Sequence, residues 1–219
     1  MNDWTRDEMM TVAAARRLWN GCVCFVGIGL PSAACIIPLP EIFSYFLQAG
    51  RVDVGFLGAA QVDRYGNLNS TVIGPYASPA TRLPGAGGAS EIAAHARQTF
   101  VMVKATPRSL VERLDFRTSA GFLEGHGARA RAGMRGAGPQ ALITDFGVLT
   151  PEPGSEELVL SALFADAAVE EARKAVGWPL RTAVSMETIA PPTTTELDTL
   201  RALHARTREA HSRPVRVPA

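Results

Sequence analysis

Short, mostly apolar runs that alternate with helix-like segments are the feature that most constrains the fold of this 219-residue chain. Such runs occur at residues 22–26, 52–57, 99–103 and 141–149. A strand that is apolar on both faces is typical of a parallel sheet covered on both sides. Because helical patterns separate the runs, the sequence predicts an α/β fold, an open and mostly parallel sheet with helices on both faces.

The helix-like segments have recognisable ends. Thr5 and Glu8 are spaced as a capping box, and Gly50 is placed to end the helix that Glu41 begins. We expect one domain over residues 1–211. The predicted helices are 5–19, 41–49, one that follows a cap at Ser90, 169–176, and 195–208 with Thr195 as its cap. The other predicted segments are strands at 70–73 and 157–163 and a flexible tail at 212–219.

Composition excludes several classes of partner. The 22 basic and 21 acidic side chains leave a net charge of +1, which gives no basic surface for nucleic acid. No apolar run is long enough to span a bilayer, and the N-terminus lacks the apolar core of a secretory signal. We therefore expect a cytoplasmic protein without a membrane partner. Cys22, Cys24 and Cys35 have no nearby histidine or fourth cysteine, so they predict buried structural thiols and no metal site.

Two glycine turns are candidates for ligand binding. They are Gly27-Ile28-Gly29 and Gly85-Ala86-Gly87-Gly88, and neither completes a P-loop or a dinucleotide-binding fingerprint. In open α/β sheets, ligands bind beyond the carboxyl ends of the strands, where such turns lie. The second turn precedes a predicted helix, so its N–H groups could face a phosphate or the oxyanion of an acyl intermediate. A plain strand-to-helix turn explains the same glycines equally well.

The run AQVDRYGNLNST at residues 60–71 is a second unusual stretch. Asp63, Asn67 and Asn69 are turn formers whose side chains often bind nearby backbone groups. A turn is all that their spacing establishes. The pattern therefore favours a scaffold over a catalytic role for this run.

One histidine and three arginines are weaker candidates for chemistry. His95 could act as an acid or a base, but the pattern favours a packed or solvated side chain. Residues 121–139 are rich in glycine and arginine and lack a hydrophobic period, which predicts a surface loop. Its arginines Arg129, Arg131 and Arg135 could contact phosphates, but the loop favours solvated side chains.

Five stretches of the chain form a recognisable set. They are FVGIGLP at 25–31, GRVDVGFLGAAQVDRYGNLNST at 50–71, RLPGAGGASEIA at 82–93, LVERLDFRTSAG at 110–121 and ITDFGVLTPEP at 143–153. Together they resemble the β subunit of family I coenzyme A (CoA) transferases, of the glutaconate and 3-oxoadipate type. They occur in the order of that family and cover most of residues 5–200. The run between residues 58 and 69 is the specific part, because glycine loops alone occur in many folds.

The resemblance implies a three-layer α/β/α fold of the NagB type and an active site between this chain and an α subunit of similar fold. It implies no permanently bound cofactor, since coenzyme A enters as a thioester substrate. In the family, a β-subunit glutamate attacks the thioester, and CoA passes to a second carboxylate through a glutamyl-CoA intermediate. The family's oxyanion N–H donors map here to Gly87 and Gly88. The expected substrate- and CoA-binding positions are Gly27, Gly29, Gly85, Ala86 and Ala89.

One part of the family pattern is missing. The family's glutamate sits in a Glu-Ser-Gly or Glu-Asn-Gly turn that follows a second strand, between the GIGLP turn and the next helix. Here Cys35 runs almost directly into that helix, and Glu41 matches a position that is not the nucleophile. Three explanations are open: a segment that the sequence omits, a deletion that leaves an inactive or structural subunit, or other CoA-thioester chemistry such as decarboxylation or hydrolysis.

The main expectation is the β subunit of an acyl-CoA:carboxylate CoA-transferase for a dicarboxylic or 3-oxo acid. Its expected partner is an α subunit, in a heterodimer or a heterotetramer.

Overall fold

The computed structural model describes residues 3–26 and 41–212, which form a central seven-stranded sheet with helices on both faces. The helices are α1 (Arg6–Ala15), α2 (Ile42–Leu47, a π-helix), α3 (Ala89–His95), α4 (Ala128–Arg131), α5 (Val169–Ala175) and α6 (Thr194–Ser212). The first strands are β1 (Cys24–Val26), β2 (Val54–Leu57), β3 (Gln61–Val62), β4 (Leu68–Asn69), β5 (Val72–Ile73) and β6 (Thr81–Arg82). The later strands are β7 (Gln98–Met102), β8 (Pro139–Ile143), β9 (Gly147–Pro151), β10 (Leu158–Phe164) and β11 (Thr182–Ile189).

The central sheet is mostly parallel, as predicted. Its order is β1-β2-β7-β8-β9-β10-β11, and only β9 runs antiparallel to its neighbours. The hairpins β3-β4 and β5-β6 form two further small sheets. The strand order places the carboxyl ends of β1, β2, β7 and β8 along one edge of the sheet, where α/β proteins bind ligands.

Helices cover both faces of the sheet, which confirms the predicted fold class. On β7, Phe100 packs with Met9 of α1 on one face, while Val101 packs with Ile92 of α3 on the other. The same alternation holds on β8. Successive strand side chains point to opposite faces, so each apolar run contributes to two cores. No helix within residues 3–26 and 41–212 is long and apolar enough to cross a membrane.

The predicted capping box of α1 is present. The Thr5 hydroxyl accepts from the Glu8 N–H, and the Glu8 carboxylate accepts from the Thr5 N–H at 2.8 Å. The helix ends at Ala15, four residues before the predicted end. The predicted cap at Ser90 is wrong, because α3 begins at Ala89 with Gly88 as its N-cap.

Residues 141–149 do not form one strand. They belong to a hairpin of β8 and β9, in which both the N–H and the hydroxyl of Thr144 donate to the Gly147 carbonyl, at 2.9 and 2.8 Å. These two hydrogen bonds close a tight turn at the polar pair Thr144-Asp145, which interrupts the apolar residues of 141–149. The prediction of a single strand is wrong because it passed over this polar pair.

Strand β1 differs from its prediction. It lies at the edge of the sheet, and Val26 is 59% exposed. Cys24 is exposed and Cys22 partly so, which corrects the prediction of buried thiols for these two cysteines. Their sulfur atoms lie 3.4 Å apart. Cys35 lies outside the described residues.

The carboxyl-terminal third contains an unpredicted strand. β11 pairs with β10 and forms the other edge of the sheet, with most of its side chains exposed. α6 then extends to Ser212, beyond the predicted end of the last helix and into the start of the predicted tail.

Candidate active site

The glycine loop at residues 83–88 lies at the edge of the sheet where the parallel strands β2 and β7 have their carboxyl ends. Only two residues join the end of α3 to the start of β7. Because α3 packs against β2 and β7, its first turn points towards the carboxyl ends of those strands. Gly55 of β2 permits this packing, since a Cβ there would collide with the Ile92 side chain.

The loop combines left-handed backbone with open space. Gly85 has φ of 94° and Gly87 has φ of 50°, values that glycine adopts without a steric cost. A Cβ at either position would meet no atom within 4 Å among the described residues. At Gly88 a Cβ would collide with the ring of Phe43 on α2. The loop is therefore open on one side and held by α2 on the other.

The backbone N–H groups of the loop divide into two sets. Gly85 donates to the Ser70 carbonyl at 2.8 Å, and Ala89 donates to the Ala86 carbonyl at 2.8 Å. The N–H groups of Ala86, Gly87 and Gly88 have no acceptor within the described residues. Of the five predicted positions in this loop, these three remain able to bind a ligand oxygen.

A serine couples the loop to the preceding run. The Ser70 carbonyl accepts from the Gly85 N–H, and the Ser70 hydroxyl donates to the Gly85 carbonyl at 2.9 Å. The Ser70 N–H in turn donates to the Thr118 hydroxyl at 2.9 Å, and that hydroxyl lies 2.7 Å from the hydroxyl of Thr71. The start of the loop is thus fixed at both backbone groups of Gly85.

Buried amides anchor this connection. Asn69 is fully buried and donates to the Gln61 side chain and to the Val72 carbonyl, both at 2.7 Å. Its oxygen accepts from the Thr71 N–H at 3.0 Å. Gln61 also donates to Asp115 at 2.9 Å. These bonds occupy the Asn69 side chain and confirm that its role is structural.

Asp63 and Asn67 form the second half of the scaffold. The Asn67 amide donates to Asp63 and to the Leu123 carbonyl, both at 2.8 Å, and its oxygen accepts from the N–H groups of Gly121 and Leu123. Burial is the largest influence on Asp63 and raises the pKa of its carboxyl. Hydrogen bonds from Asn67 and Tyr65 oppose that rise. The predicted scaffold role is confirmed here as well.

Arg129 is a buried residue that the sequence predicted to be solvated. It is 3% exposed, and its guanidinium donates to the carbonyls of Ala93 at 2.6 Å, Gly136 at 2.7 Å and Gly121 at 3.0 Å. Burial lowers the pKa of this guanidinium. Arg129 thus ties the end of α3 to the segment that Asn67 also holds. The spacing of the arginines in the sequence gave no sign of this burial. The other two arginines of residues 121–139, Arg131 and Arg135, are exposed as predicted.

Glu91 on α3 and Glu41 at the start of α2 are the carboxylates of the two helices beside the loop. Glu91 accepts from the Gln48 amide at 3.3 Å and lies 3.3 Å from His95, so His95 is packed as predicted. Glu41 is exposed at the start of α2 and makes no capping hydrogen bond. Within residues 3–26 and 41–212, no three His, Cys, Asp or Glu side chains converge as metal ligands. The first glycine turn, with Gly27 and Gly29, lies outside the described residues.

A model of the coenzyme A transferase family matches residues 40–175, which is more than half of the chain. The chain belongs to this family. The matched region contains the scaffold of residues 60–71, the glycine loop and Arg129.

Two relatives have informative names. The chain is 44% identical to the B subunit of 3-oxoadipate CoA-transferase from Pseudomonas knackmussii, over 96% of this chain and 97% of the relative. It is 30% identical to the B subunit of glutaconate CoA-transferase from Acidaminococcus fermentans, over 86% and 88% of the two chains. The first alignment extends over 253 positions, against 219 residues here. At least 34 of those positions, the difference between the two lengths, therefore pair a residue of the relative with none of this chain.

Solved structures confirm the family fold. Glutaconate coenzyme A-transferase from Acidaminococcus fermentans superimposes with a TM-score of 0.82 and 28% identity, over 91% of this chain and 94% of the other. The decarboxylase AibA/AibB matches with a TM-score of 0.74 and 23% identity, over 91% and 95%. IpdAB of Rhodococcus jostii RHA1 matches with a TM-score of 0.73 and 18% identity, over 91% and 94%. At these lower identities the likeness concerns the fold alone.

Proposed function

We propose that this chain is the β subunit of a heteromeric CoA-transferase that moves CoA between a donor thioester and a dicarboxylic or 3-oxo acid. The observation that carries this proposal is the 44% identity to a 3-oxoadipate CoA-transferase along nearly the whole of both chains. 3-Oxoadipate is therefore the first acid to test. An α subunit would complete the site.

The glycine loop is the proposed site for the thioester group. The N–H groups of Ala86, Gly87 and Gly88 have no acceptor within the described residues and lie at the ligand-binding edge of the sheet. Preorganised N–H donors stabilise the negative charge that develops on a thioester oxygen during attack. The bonds of Ser70 and Asn69 hold the loop in advance, so little reorganisation accompanies binding.

The covalent step needs a nucleophile that this sequence does not supply in the family's form. None of its glutamates is followed by Ser-Gly or Asn-Gly. We place the relative's additional positions between Pro31 and Glu41, and the nucleophilic turn among them. Two observations support this placement. The alignment contains positions with no residue of this chain, and Val26 of β1 is exposed at the edge of the sheet.

The missing turn favours a second candidate function for the chain as it stands. A subunit that binds CoA thioesters through the loop but forms no glutamyl intermediate would act in decarboxylation or hydrolysis, or serve a structural role. The intact scaffold of the loop is compatible with each of these functions.

A reconstitution experiment separates these functions. The chain is co-expressed with the α subunit of the Pseudomonas knackmussii enzyme, once as it stands and once with the relative's additional residues inserted before Glu41. Each complex is incubated with succinyl-CoA and 3-oxoadipate, and 3-oxoadipyl-CoA, free CoA and CO₂ are measured. We expect transfer only with the insertion, together with a hydroxylamine-sensitive glutamyl-CoA adduct on the inserted chain. CO₂ release or net hydrolysis without transfer in either complex would contradict the proposed transferase.

A further inference from the structure

An aromatic and cationic cluster lies beside the glycine loop. The rings of Tyr76 and Phe116 stack with centroids 5.4 Å apart and planes 25° apart, and the Arg82 guanidinium lies 4.7 Å from the centre of the Tyr76 ring. We call these three residues the Tyr76 cluster. Neither the scaffold nor the proposed thioester site accounts for it.

The cluster is continuous with the proposed thioester site. Arg82 ends β6, and the chain then enters the loop, where Leu83 donates to the Thr71 carbonyl at 3.0 Å. Gly87 lies five positions after Arg82, so their Cα atoms lie at most about 18 Å apart. That span is within reach of an extended pantetheine-diphosphate arm whose sulfur end is at Gly87.

The hairpin that carries the cluster is held in position. The Gly74 N–H donates to the Asp115 carboxylate at 3.0 Å, and Asp115 also accepts from the buried Gln61. The segment that carries Phe116 is thereby fixed against the hairpin that carries Tyr76. The stacked pair is thus part of the same hydrogen-bonded body as the loop.

The cluster nevertheless keeps unused binding capacity. Tyr76 is 57% exposed despite its two neighbours. Arg82 is exposed and donates to the Tyr76 carbonyl at 3.0 Å, but it has no carboxylate partner within residues 3–26 and 41–212. A guanidinium has five N–H donors, so most of those on Arg82 are available. By contrast, the nearby Arg117 pairs with Glu124 at 3.1 Å.

We propose that the Tyr76 cluster binds the nucleotide end of coenzyme A, an inference that rests on the proposed function. The base lies against the exposed aromatic surface, and Arg82 donates to a phosphate of the nucleotide. Aromatic side chains stack on any nucleobase, and arginine recognises phosphate through its planar fork of donors. An exposed aromatic surface and an arginine that pairs with no described carboxylate, beside a thioester site, match the two chemical groups at that end of the substrate.

The test compares ligands with and without the nucleotide. Isothermal titration of the full chain, in complex with its α subunit, measures the Kd of CoA and of pantetheine. We expect Tyr76→Ala and Arg82→Gln each to raise the Kd of CoA about tenfold, which corresponds to the loss of one stacking or phosphate contact. The Kd of pantetheine should not change, and Tyr76→Phe should keep the wild-type Kd of CoA because it keeps the ring.

Matched controls distinguish the inference from the function on which it rests. Trp19→Ala and Arg173→Gln remove an exposed aromatic and an exposed arginine elsewhere and should leave both Kd values unchanged. Equal Kd values for CoA in wild type, Tyr76→Ala and Arg82→Gln would overturn the inference and leave the proposed function intact. So would a weaker association with the α subunit at unchanged Kd of CoA, since the cluster would then be a protein contact. A wild-type complex that binds neither CoA nor pantetheine would overturn the proposed function itself.

Discussion

The residues that hold the glycine loop and the residues at the β1 edge of the sheet differ in burial and in hydrogen bonding. In the scaffold, Asn67, Asn69 and Arg129 are buried and use their polar groups in hydrogen bonds. At the edge, apolar side chains face solvent. Of the ten exposed large hydrophobic residues described, six lie between residues 18 and 46: Leu18, Trp19, Val23, Val26, Tyr45 and Phe46.

This difference separates a region whose buried polar groups are hydrogen-bonded from a region whose apolar side chains are exposed. Breaking a satisfied buried polar network lowers stability strongly, because each group left unpaired loses its hydrogen bond and gains none to water. An exposed apolar edge strand is a surface that proteins usually cover. The scaffold of the loop is therefore complete, while the part beside the proposed position of the relative's additional residues is open.

Replacement of Arg129 should give the largest effect on stability. Arg129→Met would leave several buried carbonyls without a donor, and we expect a loss of about 3 kcal/mol in the free energy of unfolding. The measurement is urea denaturation followed by circular dichroism. Arg131→Met is the matched control, since Arg131 is exposed and should lose about 0.5 kcal/mol or less. Equal losses in the two variants would show that burial of Arg129 adds nothing to the scaffold.

The contact between α1 and α6 should affect stability less than Arg129 does and more than the open edge does. The hydrogen bond from Arg201 lowers the pKa of Glu8 to about 2, and the bond from Arg16 lowers the pKa of Glu196 to about 2. Because both pKa values are lower in the folded chain, the stabilisation is present above pH 4.5 and is lost as the pH falls from 4.5 towards 2. Solvent screening limits the contribution of the Glu196 pair to about 1 kcal/mol.

Denaturation at about pH 6, above the transition, and at about pH 3, within it, measures this effect. Wild type should lose more stability between the two pH values than the Glu8→Gln and Glu196→Gln double variant. A double variant with the same pH dependence as wild type would place the acid sensitivity in other carboxylates.

A pair of identical substitutions tests the open edge and gives the smallest expected effect. Val26→Thr on β1 should change the free energy of unfolding by less than about 0.5 kcal/mol, because the side chain is 59% exposed. Val54→Thr on the neighbouring β2 should cost about 1–3 kcal/mol, because it buries a hydroxyl at a fully buried position. A comparable loss of stability in Val26→Thr would mean that Val26 is covered in the protein. That result would contradict the contrast between the scaffold and the open edge.

Much of the fold could be predicted from sequence because its signals are local. The capping box of Thr5 and Glu8, the apolar runs of the parallel strands and the Asx turns at Asp63 and Asn69 each depend on residues close in the chain. The same holds for the glycine loop, whose left-handed positions at Gly85 and Gly87 require no distant partner to be recognised.

The failures concern properties that distant contacts decide. Burial of Arg129 depends on carbonyls of α3, which lies more than 30 residues earlier in the chain. The position of β1 at the edge depends on strand order. The reversal at Thr144 is an exception, because its hydrogen bonds are local and the polar pair Thr144-Asp145 marks it in the sequence. β11 is mostly exposed, so it lacks the apolar run by which the inner strands were recognised.

The most direct test of the central claim is the affinity of the loop for a CoA thioester. Gly87→Ala places a methyl group in the open space beside the proposed N–H donors, and Gly133→Ala makes the same change at a left-handed glycine outside the site. Both variants should lose similar stability, about 1 kcal/mol. Calorimetric titration of the complex with succinyl-CoA should give a Kd about tenfold higher for Gly87→Ala and unchanged for Gly133→Ala. An unchanged Kd in Gly87→Ala would contradict the assignment of this loop as the thioester site.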